Sequence, residues 1–303
     1  GEHTPVLEDV NFSIAEGSIA FISGLSGSGK STLLNIINGL IPEVIDGKLT
    51  GELLIGGKSR VTMTERSALI GNVFQNPRSQ FFTTNTTAEL VFAMENFGAP
   101  KPEMERRLKA LIKKYKLEYL LDRDIYELSS GEKQLFLRTL AIKILEPENS
   151  IIMIDEPELS LHPKWQQKIV DVYKKIGKNN QIILATHSPH ILGSVEKENI
   201  ILLEKNENGI VEVKTGDEFG NSYGQTTGRI LEDIMGLETD RNPSVHELLN
   251  QVKEMVKNDN YENSEFERKY SKIKDILGED DRDLFLVDMD LQVKKGRKNA
   301  ESK

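Results

Sequence analysis

The stretch GLSGSGKST occupies Gly24–Thr32, between the apolar run IAFI at Ile19–Ile22 and a helical pattern from Thr32 to Leu40. A run of strand length, a glycine-rich turn and a helix, in that order, form the setting that a phosphate-binding loop requires. Gly24, Gly27 and Gly29 let the backbone curl until its N–H groups point inward, where a side chain would obstruct a phosphate. The helix N-terminus adds partial positive charge. Lys30 places a compact cation between β- and γ-phosphates, Ser31 offers a hydroxyl to Mg²⁺, and Thr32 donates to the α-phosphate. The residues expected to hold nucleotide here are Gly24, Ser26, Gly27, Ser28, Gly29, Lys30, Ser31 and Thr32.

Three further apolar runs match the first: IIMI at Ile151–Ile154, IILA at Ile182–Ala185 and IILL at Ile200–Leu203. They are Ile-rich and of strand length, as buried parallel strands are. Helical patterns lie between them, including Leu161–Ile176, so a sheet with helices packed on it is expected. Val6–Leu7, Phe12–Ile14 and Gly51–Ile55 read as an added antiparallel layer, and residues 86–146 as mostly helix. A Gly-, Asn- and Thr-rich stretch from Asn206 to Gly228 holds one strand, Ile210–Val213. Beyond it, Ser244 and Glu247 read as a capping box ahead of an apolar face at Val245, Leu248, Leu249, Val252 and Val256. Phe266, Tyr270, Ile273 and Leu277 make a second face, stopped by Gly278, and the polar last dozen residues are expected to fray.

IIMIDEP sets Asp155 and Glu156 at the C-terminal end of a strand, the edge where ligands of parallel sheets bind. Asp155 is the expected Mg²⁺ ligand, and Glu156 the general base that polarises the attacking water.

Three more elements follow. LSSGEKQ spans Leu128–Gln134, Gln75 sits in FQNP, and His187 sits in ATHSPH directly after the IILA run. With the phosphate loop and the acidic pair, these motifs resemble the ATP-binding-cassette (ABC) ATPases in order and spacing, over about residues 4–205. The resemblance implies a P-loop NTPase fold of ABC type: a mostly parallel sheet with an antiparallel β layer, a helical insert and a small helical C-terminal unit. The pattern along the chain divides it into an ATP-binding core at 1–205, with a helical subdomain at about 76–146, and a strand-containing linker with a helical C-terminal extension at 206–303. The resemblance implies that Ser129 and Gly131, at a helix start, reach the γ-phosphate of an opposite subunit. Gln75 corresponds to the family's Mg²⁺-sensing glutamine, and His187 to the histidine that contacts the γ-phosphate. The catalytic set is then Lys30, Glu156 and His187, the metal set Ser31, Gln75 and Asp155, and the cofactors ATP and Mg²⁺. No residue is assigned to stacking on adenine, which the family performs from an earlier strand.

The family branch stays open between two readings. Val73–Gly98 and Asp122–Gln134 resemble the ATPase subunits of energy-coupling-factor and cobalt-type importers, whose helical subdomain grips a membrane partner. Phe81, Phe82, Leu90 and Phe92 either form such a groove or pack the subdomain. EPELSLHP, with His162, and Tyr223–Leu249 resemble soluble DNA-repair-type and defence-type ATPases, some of which pair with a nuclease. The expected function is a MgATP-hydrolysing motor subunit of an importer, working as a homo- or heterodimer with a membrane-spanning subunit. The alternative is a soluble ATPase that gates a nuclease or nucleic-acid-binding partner.

Composition bounds both. The 303 residues carry 39 Lys and Arg against 48 Asp and Glu, a net charge of −9, which argues against a chain built to coat nucleic acid or anionic membrane. Cysteine is absent, so disulfides, thiolate catalysis and Cys-ligated metals are excluded. No run approaches the roughly 20 apolar residues of a membrane helix, so any transport role needs a spanning partner. A cytoplasmic location is expected, peripheral at the membrane's cytoplasmic face in the importer reading.

Overall fold

Isoleucine-rich runs form strands because β-branched side chains fit a pleated surface covered on both faces. The computed structural model describes residues 5–73, 81–128, 140, 142–159, 161–206 and 208–301. Among them, β1 (Ile19–Ser23), β2 (Ile70–Val73), β3 (Ile151–Asp155), β4 (Gln181–Thr186), β5 (Ile200–Lys205) and β6 (Val211–Thr215) build one sheet. Its order is β2-β3-β4-β1-β5-β6, parallel throughout except for the β5–β6 pair. The mostly parallel α/β sheet expected from the four apolar runs is therefore present. β2 was not foreseen, because IGNV sets Gly71 and Asn72 between its two buried residues and shows no apolar run.

Register decides where the site lies. Ser23 stands opposite Thr186 and Asp155 opposite Ala185, so β1, β3 and β4 end level at one edge. The helix that follows the loop, α1 (Lys30–Asn38), buries Leu33, Leu34 and Ile37 against Ala20, Ile22, Met153 and Ile183. Each such aliphatic side chain contributes about 1.5–3 kcal/mol when taken from water. The core thus clamps the loop between β1 and α1.

The antiparallel layer expected from Val6–Leu7, Phe12–Ile14 and Gly51–Ile55 is corrected by the structure. These segments form no strand; their only pairing among the described residues is a bridge from Ile55 to Lys58. Their apolar side chains Leu7, Phe12, Ile14 and Leu53 still pack on the core from irregular backbone. Segments this short cannot build a ladder of their own; side-chain burial holds them, joined at Ile14 by a hydrogen bond from Gln181 Nε2 to its carbonyl at 2.8 Å. The antiparallel pairing observed is instead that of β5 with β6.

The insert holds α2 (Thr86–Asn96) and α3 (Lys101–Tyr115). Asn85 caps α2 by accepting from Thr87 and Ala88 N–H, and Pro102 sits in the first turn of α3. Leu90, Met94, Leu111, Leu120 and Ile144 form an apolar cluster there, and Arg107 ties α3 to the Leu145 carbonyl at 2.9 Å. After β3, α4 (Pro163–Tyr173) is capped by His162, whose Nδ1 accepts from Lys164 N–H at 3.2 Å.

The chain divides into two compact units, Gly1–Gly236 and Leu237–Lys303. The first unit runs past residue 205 to include β6, which pairs with β5, and α5 (Thr227–Asp233). The second unit contains α6 (Pro243–Lys257), α7 (Ser264–Leu277) and α8 (Arg282–Glu301). Asn242 caps α6, not Ser244: Pro243 takes the first helical position, where no N–H is needed, and Asn242 accepts from Ser244 N–H. Gly278 closes α7 with φ 81°, as its position after Leu277 implies. Leu249, Val252, Val256, Phe266, Ile273, Leu284 and Val287 form this unit's core. The polar end expected to fray continues α8 as far as Glu301. Among the described residues no helix is long and apolar enough to cross a membrane.

Candidate active site

The level strand ends bring three turns together. The first is the loop between β1 and α1. Gly24 adopts φ 147°, and a Cβ there would lie 2.3 Å from the Leu203 carbonyl oxygen and 2.6 Å from Ser28 Oγ. Only glycine fits so close to β5. Gly29, at φ 91°, precedes α1 with no side-chain capping bond, so the first-turn N–H groups of α1 have no side-chain competitor at its cap. The loop crown at Leu25, Ser26 and Gly27 is exposed, whereas Ser28 and Lys30 are buried and Thr32 is half-buried.

Lys30 reaches back along the loop. Its Nζ donates to the Gly24 carbonyl at 2.7 Å and the Leu25 carbonyl at 3.0 Å. Burial lowers its pKa, while the nearby carboxylates of Glu156, Asp155 and Glu158 pull it upward. The net shift is downward, so burial outweighs the three acids at this partly dry site. A second cation is also present: Lys205 Nζ, at the end of β5, lies 3.9 Å from where a Cβ would stand at Gly27. Sequence spacing did not single out Lys205, because a lysine at a strand end is ordinary.

The second turn leaves β3. Asp155 is buried, and its Oδ2 accepts from Ser31 Oγ at 3.2 Å. Its Oδ1 is buried with no hydrogen-bond partner among the described residues. Burial raises the Asp155 pKa, as does the charge of Glu156, against the Ser31 hydrogen bond and Lys30. Glu156 then turns the chain with φ 48°, its N–H donating to the Ala185 carbonyl at 2.8 Å. That αL geometry is uncommon for a residue with a side chain and swings Glu156 off the strand.

The third turn leaves β4. His187 Nδ1 lies 3.3 Å from Glu156 Oε1. It also lies 3.4 Å from Oε1 of Glu158, a buried carboxylate the sequence reading passed over. The available signal was only its place two residues after Glu156 in EPELSLHP, which helical capping explains equally well.

The residues present fit a magnesium-bound triphosphate. Among the described residues no group of three His, Cys, Asp or Glu side chains could hold a metal unaided. Mg²⁺ does not need one, since it binds through one or two carboxylates, a hydroxyl and substrate phosphates. The orphaned Asp155 Oδ1 beside the Ser31 hydroxyl supplies that donor set. The structure therefore brings together Lys30, Ser31, Asp155, Glu156 and His187; Gln75, Ser129 and Gly131 lie outside the described residues.

Known proteins resemble this chain. Residues 75–193 match the family described as "AAA domain, putative AbiEii toxin, Type IV TA system". An ABC transporter ATP-binding protein of Methanosarcina mazei is 39% identical over 181 residues, 59% of this chain and 30% of that protein. One from Treponema denticola is 33% identical over 208 residues, covering 68% of this chain and 41% of its own length. The chain thus spans well under half the length of these relatives. An ABC transporter ATP-binding protein of Pyrococcus abyssi is 35% identical over 190 residues, 61% of this chain and 67% of that protein. Among solved structures, CbiO1 of Clostridium perfringens, part of the ABC transporter complex CbiONQ, matches with TM-score 0.55 and 26% identity. That match covers 70% of this chain and 83% of CbiO1.

Proposed function

The chain belongs to the ATP-binding-cassette ATPases, and we propose that it hydrolyses MgATP at a head-to-tail dimer interface, as the motor subunit of an importer-type transporter. The observation that carries the hydrolytic part is the Glu156–His187 contact of 3.3 Å, at the same sheet edge as Lys30 and Asp155.

In this reading the loop N–H groups and Lys30 bind the ATP phosphates, and Lys30 exchanges its carbonyl partners for phosphate oxygens. Ser31, Asp155 and Gln75 would hold Mg²⁺, which would supply positive charge beside the triphosphate. Glu156 accepts the proton of the attacking water, and His187 presents Nε2, the ring atom opposite the carboxylates, to the γ-phosphate. Ser129 and Gly131 of a second subunit close the site and exclude bulk water.

The importer role is supported by the relatives' names and by the surface of the insert. Phe82 is 71% exposed and stacks on Phe92 at 4.6 Å, and Phe97 and Tyr126 are exposed as well. Leu90, in contrast, is buried in the insert's own cluster, so of the four apolar residues singled out there it packs the subdomain. The family match over residues 75–193, whose description names a toxin–antitoxin system, is the one observation behind the second reading, a soluble defence-type ATPase that gates a nuclease or nucleic-acid-binding partner.

Phosphate release and sedimentation with ATP test the hydrolase. Glu156→Gln is expected to keep nucleotide binding, lower turnover about 10²–10⁴-fold and trap an ATP-bound dimer. Unchanged turnover removes Glu156 from the role of base. For the partner, the tagged chain is recovered from detergent-solubilised membranes and from cytosol. Co-purification of a membrane-spanning subunit that Phe82→Asp abolishes supports the importer; recovery with a nuclease alone replaces it with the second reading.

A further inference from the structure

Glu158 is 4% exposed, yet it is a carboxylate. A charge taken from water in this way needs compensating hydrogen bonds. Its Oε1 accepts from Thr186 Oγ1 at 2.7 Å and from His187 N–H at 2.9 Å, and lies 3.4 Å from His187 Nδ1. One oxygen therefore grips both the backbone and the ring of His187. The grip is itself braced. Thr186 Oγ1 accepts from Ser188 N–H at 3.0 Å, and Ser188 Oγ donates to Gln166 Oε1 at 2.7 Å on α4. Gln166 Nε2 in turn donates to the Leu161 carbonyl at 2.9 Å, in the same segment as Glu158.

We infer that Glu158 is a positioning residue for His187. It rests on the proposed hydrolase reading, in which His187 serves the γ-phosphate. Two carboxylates flank Nδ1, Glu156 at 3.3 Å and Glu158 at 3.4 Å. A ring nitrogen facing two acceptors is the one that carries the proton, and the hydrogen bond it makes fixes which face the other nitrogen presents. Glu156 alone cannot do this and also turn toward a water. Glu158 holds the ring and its peptide while Glu156 is occupied with the proton transfer. Its backbone clamp also fixes the point from which His187 leaves β4, so the ring stands in one place with Nε2 outward.

The test uses the full chain and two variants. Glu158→Ala removes every acceptor; Glu158→Gln keeps an amide oxygen for the Thr186 hydroxyl and the His187 N–H but loses the charge. Long-range ¹H–¹⁵N spectra of the His187 ring are recorded beside steady-state kinetics. The wild type is expected to show one Nδ1–H tautomer. Glu158→Ala is expected to show a mixture, with kcat down about 10–100-fold and KM for ATP unchanged. Glu158→Gln is expected to fall between them, and it carries the test if the alanine variant does not fold. A folded variant with the wild-type tautomer and wild-type kcat overturns the inference, as does a loss of kcat that only follows thermal stability. The spectra need no turnover. A wild-type chain that fails to hydrolyse ATP but whose His187 tautomer still depends on Glu158 removes the hydrolase reading and keeps the positioning role.

Discussion

Ser31 Oγ donates to Asp155 Oδ2 at 3.2 Å, although 124 positions separate the two residues in sequence. One stands in the first turn of α1 and the other ends β3, and they meet because β3 and β1 flank β4 in register. The bond pre-sets two oxygens on one side of the phosphate loop.

Ser31→Ala removes the hydroxyl and leaves Asp155 Oδ2 without that donor in a buried position. ATP turnover in this variant is expected to require about 10–100-fold more Mg²⁺ for half-maximal rate, the size of effect seen when a metal's supporting shell is lost. A Mg²⁺ titration of phosphate release measures it, with thermal stability as the control for folding. A curve superimposable on the wild type's would remove Ser31 from the metal site.

Gly24→Ala forces a Cβ to within 2.3 Å of the Leu203 carbonyl oxygen at a φ of 147°. Neither the backbone of β5 nor the dihedral can yield cheaply. The expected cost is about 1–3 kcal/mol of stability, together with loss of nucleotide binding. Differential scanning calorimetry and fluorescent-nucleotide titration read the two effects separately. Gly209, at φ 77° with nothing within 4 Å of a Cβ, provides the comparison in which the dihedral is strained but the crowding is absent.

Ile273 is fully buried at the centre of the second unit's core. Ile273→Ala leaves a cavity there and is expected to cost about 2–5 kcal/mol. Urea unfolding followed by far-ultraviolet circular dichroism should show an earlier helical transition. A shift comparable to that of an exposed substitution such as Ile276→Ala would mean that α6, α7 and α8 do not share this core.

The insert carries a pH-dependent contact. Arg106 and Arg107 both donate to Glu103 at 2.7 Å, and these bonds hold its carboxyl at about 2, below the ordinary 4.5. A folded-state pKa below the unfolded one means that the unfolded chain binds the proton first. The stabilisation is therefore complete above about pH 4.5 and is lost as pH falls toward about 2. The melting-temperature difference between wild type and Glu103→Gln is expected to shrink across that window. Because Glu103 is only half-buried and its partner Arg106 is exposed, the difference is small at any pH and decreases with added salt.

Local chemistry made much of this protein legible from its sequence. The strand–loop–helix at Ile19–Asn38, the acidic pair at Asp155 and Glu156, and the histidine after the IILA run are contiguous signals. Each needs only its neighbours in the chain to be recognised: an apolar run, a glycine where no side chain fits, a charge at a strand end. The helical faces of the second unit were legible for the same reason, since a period of 3.6 residues is written along one segment.

What the sequence by itself determined was the glycine-rich strand–loop–helix, the places of Asp155, Glu156 and His187 at strand ends, and the mostly parallel α/β class. Tertiary structure decided what depends on contacts distant in the chain. It showed that Val6–Leu7, Phe12–Ile14 and Gly51–Ile55 cover the core without strands, that Lys205 stands beside Gly27, and that residues 206–236 belong with the sheet. It also set Glu158 against His187. In EPELSLHP that glutamate reads as one more acid before a helix. Its burial, and the hydrogen bonds that burial demands, exist only because β3 and β4 end side by side, which no local pattern of residues records.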